Sequence, residues 1–451
     1  MTATRARWPI LLLALSSLLL ASCARDGERR GLFRKSAPPT QTAGERISVL
    51  DFERAIEAEA ELREMDVALP PARVNPAWSQ AGGSAAKAMG RLALGAGDRR
   101  LFSESIGRGS DATRRLNATP VILANRMVTI DTEGLVTAFN AETGQRLWQV
   151  RLGPRGKSAR AAFGGGVSLE GERAYVTTGT GLVVALDAAT GTEVWRTDLG
   201  TPLRGAPSVG EGKVVVMSQD NRLTALFADS GEQAWQVTAT LEPAGILGPG
   251  APAIYQGTVI AGFSSGELFA LRIENGRTVW QDQLARTGRT TALGALSAIV
   301  AAPVVDRGRV FAVGHGGRIV AIEVATGQRV WERTLAGVHT PAVAGEFLFV
   351  VTTEAELVAL TRGEGKIRWV ADLGRWRNEK KKSGAIEWAG PVLAGDWLWL
   401  VSSRGDMVQV DPADGRIAAR RRVGKSAYLP PVVANMVLYV LTEDGRVQAF
   451  R

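Results

Sequence analysis

Cysteine and histidine are almost missing from this chain. Its 451 residues include one cysteine, Cys23, and two histidines, His315 and His339. A single cysteine excludes an internal disulfide, a cysteine-built metal site and a thiol relay. Neither histidine has a second ligand at metal spacing, which leaves little for zinc, haem or a histidine-based triad. Both fall in turns or linkers between predicted strands, where a solvated or locally hydrogen-bonded ring is expected. No C-x-x-C-H haem motif occurs. Clustered charge is lacking too. The net charge of +9 is spread along the chain, as on a generally arginine-rich surface. With 45% apolar and 22% charged residues, bulk disorder is excluded. What is plentiful is glycine (52) and tryptophan (12, against 4 tyrosines), a composition that favours many short strands and tight turns.

The amino terminus reads as an export signal. Arg5 and Arg7 precede an apolar run from Ile10 to Leu20, broken only by Ser16 and Ser17. That run is too short to span a bilayer as a helix, so a cleaved segment is expected. It ends Leu20-Ala21-Ser22-Cys23. Residues 1–22 are thus assigned as signal peptide, 23–75 as a polar, proline-broken tether and 76–451 as the folded domain.

From residue 118 onward the chain is one unit repeated. Each copy runs through a proline, an apolar strand, a turn, a strand of the Gly-x-Val/Leu-x-Ala-Leu type, an acidic-x-x-Thr-Gly turn and a tryptophan. Proline and turn glycine are 24 residues apart in Pro120/Gly144, Pro207/Gly231, Pro252/Gly276, Pro303/Gly327, Pro341/Gly365 and Pro391/Gly415. A further copy keeps Gly191 but has Val167 at the proline position, and the copy beginning at Pro391 has Ala419 in place of tryptophan. A last copy, from Pro431, stops before its turn.

Alternating Val, Leu and Phe over short runs, separated by turn residues, make antiparallel strands. The Thr-Gly turns suit a type I turn closed by a residue of positive φ. A tryptophan at one place in every unit is read as packing between adjacent sheets rather than as a ligand contact. Four-stranded units of this length are β-propeller blades. The last copy lacks its final strand, and residues 101–107 upstream resemble one, so this strand is expected to complete the last blade and close the ring. The fold class is therefore all-β, an eight-bladed propeller, with seven blades the main rival.

The Ala-x-Asp-x-x-Thr-Gly-x-x-x-Trp repeat, clearest at residues 185–195, resembles that of quinoprotein propellers. Two families share it: pyrroloquinoline-quinone dehydrogenases and the outer-membrane protein assembly factor BamB. Leu20–Cys23 resembles a lipoprotein signal, implying lipidation of Cys23 and, with Ala24 following, export to the outer membrane. Lipobox, short tether and eight blades resemble the BamB family. That resemblance implies a non-enzymatic lipoprotein without cofactor or metal, docked on the POTRA domain of BamA within the BAM complex. It also implies service to unfolded outer-membrane proteins and no contact with nucleic acid. The rival enzyme family needs carboxylates around a calcium and a neighbouring-cysteine disulfide, which one cysteine does not supply. A propeller adaptor for another envelope partner is a third reading.

In the BamB family two neighbouring inter-blade loops contact BamA. Matched by the repeat frame, they fall at Gly245, Ile246 and Leu247, and at Leu296, Ser297 and Ala298. Leu247, Ala298 and Val300 stand where the family carries charges, which implies a more apolar contact. The loop at 375–388 carries Arg375, Arg377, Lys380, Lys381 and Lys382 between Trp376 and Trp388. Contact with an acidic partner or lipid head groups, or a solvated loop pinned by its tryptophans, both fit it.

Overall fold

The repeat becomes eight four-stranded antiparallel sheets among the described residues. The computed structural model describes residues 56–153, 165–241, 248, 250–284 and 298–451. Cys23 and the signal lie outside them. Blade one is Val121–Leu123, Arg126–Ile130, Leu135–Asn140 and Arg146–Arg151, and the strands hydrogen-bond in chain order. Blades two to seven repeat that order. The short first strands neighbour one another from blade to blade, which places them at the hub.

Blade eight is closed by the chain's beginning. Arg100–Ser105 pairs antiparallel with Arg446–Phe450, with Phe102 opposite Ala449 and Glu104 opposite Val447. Arg99 and Arg451 exchange backbone hydrogen bonds of 3.1 and 2.9 Å, where the other blades have a turn. The ring thus has eight blades, and the last sheet gains its outer, fourth strand from Arg100–Ser105.

The tryptophans join the blades in a constant way. Trp280 is buried, and its Nε1–H donates to Val324 O of blade five at 2.7 Å. Trp148, Trp195, Trp235, Trp331 and Trp369 bond the next blade equivalently, at 2.7–3.0 Å. Each ring also lies on the next blade's turn glycine. Gly365 has φ +68, and a Cβ there would stand 2.5 Å from Trp331 Cε3. Glycine is required twice over, for its left-handed backbone and for its lack of a side chain.

Two departures from the repeat complete the pattern. Phe102 covers Gly144 but has no N–H, and Tyr439 Oη–H donates instead to Ala141 O at 2.9 Å. Ala419 stands at the one joint where the next blade has no turn to cover. There Trp399, fully buried, packs on Gly97, just ahead of the closing strand.

Residues 56–75, assigned to the tether by sequence, run along the ring. Glu59 N–H donates to Ile367 O at 2.8 Å, Lys366 pairs with Glu61 at 2.6 Å, and Arg368 Nε donates to Met65 O at 2.9 Å. The chain then crosses the hub. Asn75 bonds blade eight through Val433 O (2.8 Å), and Trp78 exchanges two 2.8 Å bonds with Ile122 of blade one. Ser79 O accepts from Leu169 N (2.7 Å), and Gln80 bonds both backbone groups of Val209 (2.7 and 3.1 Å). Ala85 O and Ala86 O each accept at 2.9 Å, from Ile254 and Val305 of blades four and five. Leu92 bonds Leu393 and Gly395 of blade seven. One segment therefore ties the inner strands of seven blades.

Replacing Trp280 by Ala is expected to destabilise the ring by roughly 3–5 kcal/mol in urea unfolding. Trp280→Phe keeps most packing but strands the Val324 carbonyl, for roughly 1–2 kcal/mol, and Tyr439→Phe costs a similar amount at Ala141. Equal losses for Trp280→Ala and Trp280→Phe would show that packing contributes nothing.

Candidate functional site

At the hub, described residues ahead of and within the inner strands surround a cup. Asn117, Ala118 and Thr119 of blade one, Ala206, Gly250, Ala251, Val300 to Ala302, Val338 to Ala342, Leu429 and Pro430 make its wall. The crossing segment makes its floor through Trp78, Ala81, Gly82, Lys87, Met89 and Gly90. The cavity holds ≈ 110 Å³ and is open at its mouth. Small residues at 81–88 suit this crossing, because eight inner strands leave little room at the axis.

Two titratable groups line the cup. Lys87 is buried, with 3% of its surface exposed, and its ammonium donates to Ser208 Oγ at 3.2 Å. Burial lowers its pKa to about 7. His339 stands on the wall, partly exposed to the cup yet densely surrounded. Burial lowers its pKa to about 4, against a smaller opposing effect from a hydrogen bond to the Trp388 backbone. Of the two expectations for a linker histidine, solvated or locally hydrogen-bonded, the second describes it. His315 lies on a blade-five turn, where its backbone N–H donates to Ala298 O at 3.0 Å. Among the described residues no group of three His, Cys, Asp or Glu side chains is placed to hold a metal.

Gly250 and Val300, which flank the two loops singled out by sequence, line the cup. Gly245, Ile246, Leu247, Leu296 and Ser297 lie outside the described residues. Ala298 is described, and it is buried at 1% exposure, as are Ile299 and Val300. The Ala298 side chain faces the interior, so it offers no apolar surface to another molecule. Ile299 N–H donates to Phe263 O at 3.0 Å, which fixes the second loop to blade four. Gly250, at the foot of the first loop, lies so close to Val300 that a Cβ would stand 2.6 Å from Val300 O. The two feet therefore pack on each other.

Asn221 braces the start of the first loop. Its backbone is left-handed, at φ +59. Its Oδ1 accepts from Arg204 Nη2 (2.7 Å) and Ser264 Oγ (2.8 Å), and its Nδ2 donates to Thr240 O (2.6 Å). Glu267 also holds Thr240, accepting from its N–H at 2.8 Å and from its hydroxyl at 3.1 Å. Loops carried on such rigid feet are suited to recognition.

The basic loop forms a separate hairpin, Trp376–Asn378 paired with Ser383–Ala385. Trp388 anchors it, buried and donating to Gly374 O at 3.1 Å, and Arg375 lies 4.9 Å over the Trp376 ring. Lys380, Lys381 and Lys382 are exposed at its tip.

Known proteins separate the two propeller families that share this repeat. The family model described as outer membrane protein assembly factor BamB matches residues 132–371 and 374–451. The chain belongs to the BamB family. Its members include the Yersinia pestis assembly factor, 28% identical over 78% of this chain and 88% of its own length. The Burkholderia pseudomallei member is 27% identical over 78% and 87%. The crystal structure of BamB from Moraxella catarrhalis superposes with a TM-score of 0.66 at 20% identity, covering 78% of this chain and 99% of that one. The ring itself is not diagnostic. A quinohemoprotein alcohol dehydrogenase from Comamonas testosteroni superposes at 0.64 with 14% identity, over 83% and 80% of the two chains.

Sequence reasoning missed the hub crossing, and with it Lys87. The available signal was the run Ala81-Gly-Gly-Ser-Ala-Ala-Lys-Ala-Met-Gly90, small and glycine-rich, inside the segment assigned to the folded domain.

Both buried bases should make stability depend on pH. For each, the unfolded chain binds more protons than the fold between the lowered pKa and the ordinary one, so stability rises with pH across that window. For His339 the window is about 4 to 6.5, and for Lys87 about 7 to 10.5. His339→Gln should remove roughly 2–3 kcal/mol of the loss seen on acidification from pH 6.5 to 4. Urea midpoints of both proteins across that range measure it; parallel curves would refute the assignment.

Proposed function

We propose that this protein is a lipid-anchored scaffold of the outer-membrane β-barrel assembly machinery. It is held at the periplasmic face of the outer membrane by lipid on Cys23. It docks on the POTRA domain of a BamA-type subunit through the two loops around residues 244–248 and 293–300, helps present nascent outer-membrane proteins and performs no chemistry. The observation that carries the reading is the BamB family match along the ring. The braced feet of neighbouring loops support it, because a rigid frame lowers the entropy lost on docking. With Ala298 and Val300 packed inward, the contact falls to the outer parts of both loops.

The quinone-dehydrogenase reading is favoured by the ring's likeness to the Comamonas enzyme. Its cofactor chemistry does not fit the residues present. Calcium takes six to eight oxygen ligands, largely carboxylates. The described lining of the cup contains no Asp or Glu and places a buried lysine on the floor.

Extraction in mild detergent should bring the BamA-type subunit down with this protein. Replacing residues 244–248 by a Gly/Ser stretch should reduce that recovery by roughly tenfold or more, about 1.4 kcal/mol in affinity, without lowering the thermal midpoint. Undiminished recovery would remove the first loop from the interface, and absence of the subunit from the wild-type sample would end the proposal. Cys23→Ser should move the protein from the membrane pellet to the soluble fraction, since acyl chains contribute about 0.8 kcal/mol per buried methylene.

A further inference from the structure

The cup has chemistry that docking through its neighbouring loops does not use. Its wall is mostly Ala, Val, Pro and Leu, and its floor holds one ammonium. Lys87 has three N–H donors, of which one is met, by the neutral hydroxyl of Ser208. Among the described residues no carboxylate pairs with it. A buried charge without a counter-charge destabilises a fold unless something else answers it. Its backbone is strained as well, at φ +65, in a region glycine enters freely and lysine does not. Beside it Trp78 is nine-tenths buried, and its Nε1–H has no acceptor. The floor therefore holds two kinds of unanswered donor and no unanswered acceptor among its side chains.

We propose that the cup is a binding site for a small apolar monocarboxylate, with the carboxylate on Lys87 at the floor and the apolar body against Val300, Val343, Leu393 and Leu429. The charge on the floor selects an anion. One cation in the described lining selects a monoanion over a phosphate, whose second charge would be buried without a counter-charge. The volume sets the size. Benzene occupies an engineered cavity of about 150 Å³, so ≈ 110 Å³ with an open mouth takes a body of roughly six heavy atoms. Lys87 and His339 are the only titratable side chains among the described lining. With its pKa held near 4, His339 stays neutral above about pH 5, which leaves Lys87 as the group that tunes binding. This site is independent of the docking role: it lies on the axis, and its occupancy is measured without any partner protein.

Isothermal titration of the full chain with hexanoate, hexan-1-ol and hexylammonium tests it. At about pH 6, hexanoate should bind at least ~10-fold more tightly than hexan-1-ol, and hexylammonium should not bind. The preference for hexanoate should shrink toward parity by about pH 9, as Lys87 loses its proton. Lys87→Met should abolish the preference at both pH values while hexan-1-ol still binds. If that variant does not fold, the wild-type pH series decides alone. Equal affinity for acid and alcohol at about pH 6, no heat from either, or a preference that survives in Lys87→Met would each overturn the assignment.

Discussion

An indole lying on a glycine of the next blade holds this ring together. The contact combines two demands that are seldom met at one place. The turn needs a left-handed residue, and the ring needs a flat surface with nothing projecting from it. Gly327 and Gly365 meet both, with Trp280 and Trp331 against them and an indole N–H closing each joint on a turn carbonyl. Burial of the ring and satisfaction of that carbonyl occur together, so the joint is specific as well as apolar. Repeat proteins are otherwise sums of neighbour terms, and a closed ring requires every term to be present. The substitutions in the repeat obey this logic in pairs. Phe102 keeps the flat surface and Tyr439 supplies the missing donor. Ala419 loses its ring only where the neighbouring turn does not exist.

The amino-terminal crossing adds a second, radial constraint. Adjacent blades hold each other at the rim through tryptophan, and residues 75–92 hold seven of them at the axis through backbone and side-chain amide hydrogen bonds. A ring tied only at its rim is free to breathe at its centre. Here the inner strands share one covalent segment, so a displacement of one blade is felt by the others. The same crossing turns an open channel into a cup with a floor.

How much of this was legible depends on whether a feature repeats. The blade, its turn, its tryptophan and the closing strand at residues 101–107 were readable because each has counterparts elsewhere in the chain. The constant interval from Pro252 to Gly276 and from Pro303 to Gly327 leaves no freedom in the unit. Features present once were not readable. Lys87 sits in a stretch without period, and its burial follows from where the segment goes, which no local pattern encodes. His339 looks like a linker residue in the repeat frame, and it is one, but this linker faces the axis. Ala298 illustrates a further limit. A frame match locates a position along the chain and says nothing of which way its side chain turns, and here it turns inward.

The likeness to dehydrogenases at 14% identity shows how little of the function resides in the ring. Indole, glycine and strand register suffice to build the wheel, and they are indifferent to what stands at its mouth. What distinguishes one such protein from another is the small set of residues that the repeat leaves free, the inter-blade loops and the axial lining. In this chain the axial lining carries one ammonium and no carboxylate among its described residues, the reverse of what a calcium-held quinone demands. The loops stand on feet fixed by Asn221, Glu267 and Ile299. The flanks of the two loops and the axial lining meet at Gly250 and Val300, on one rigid frame.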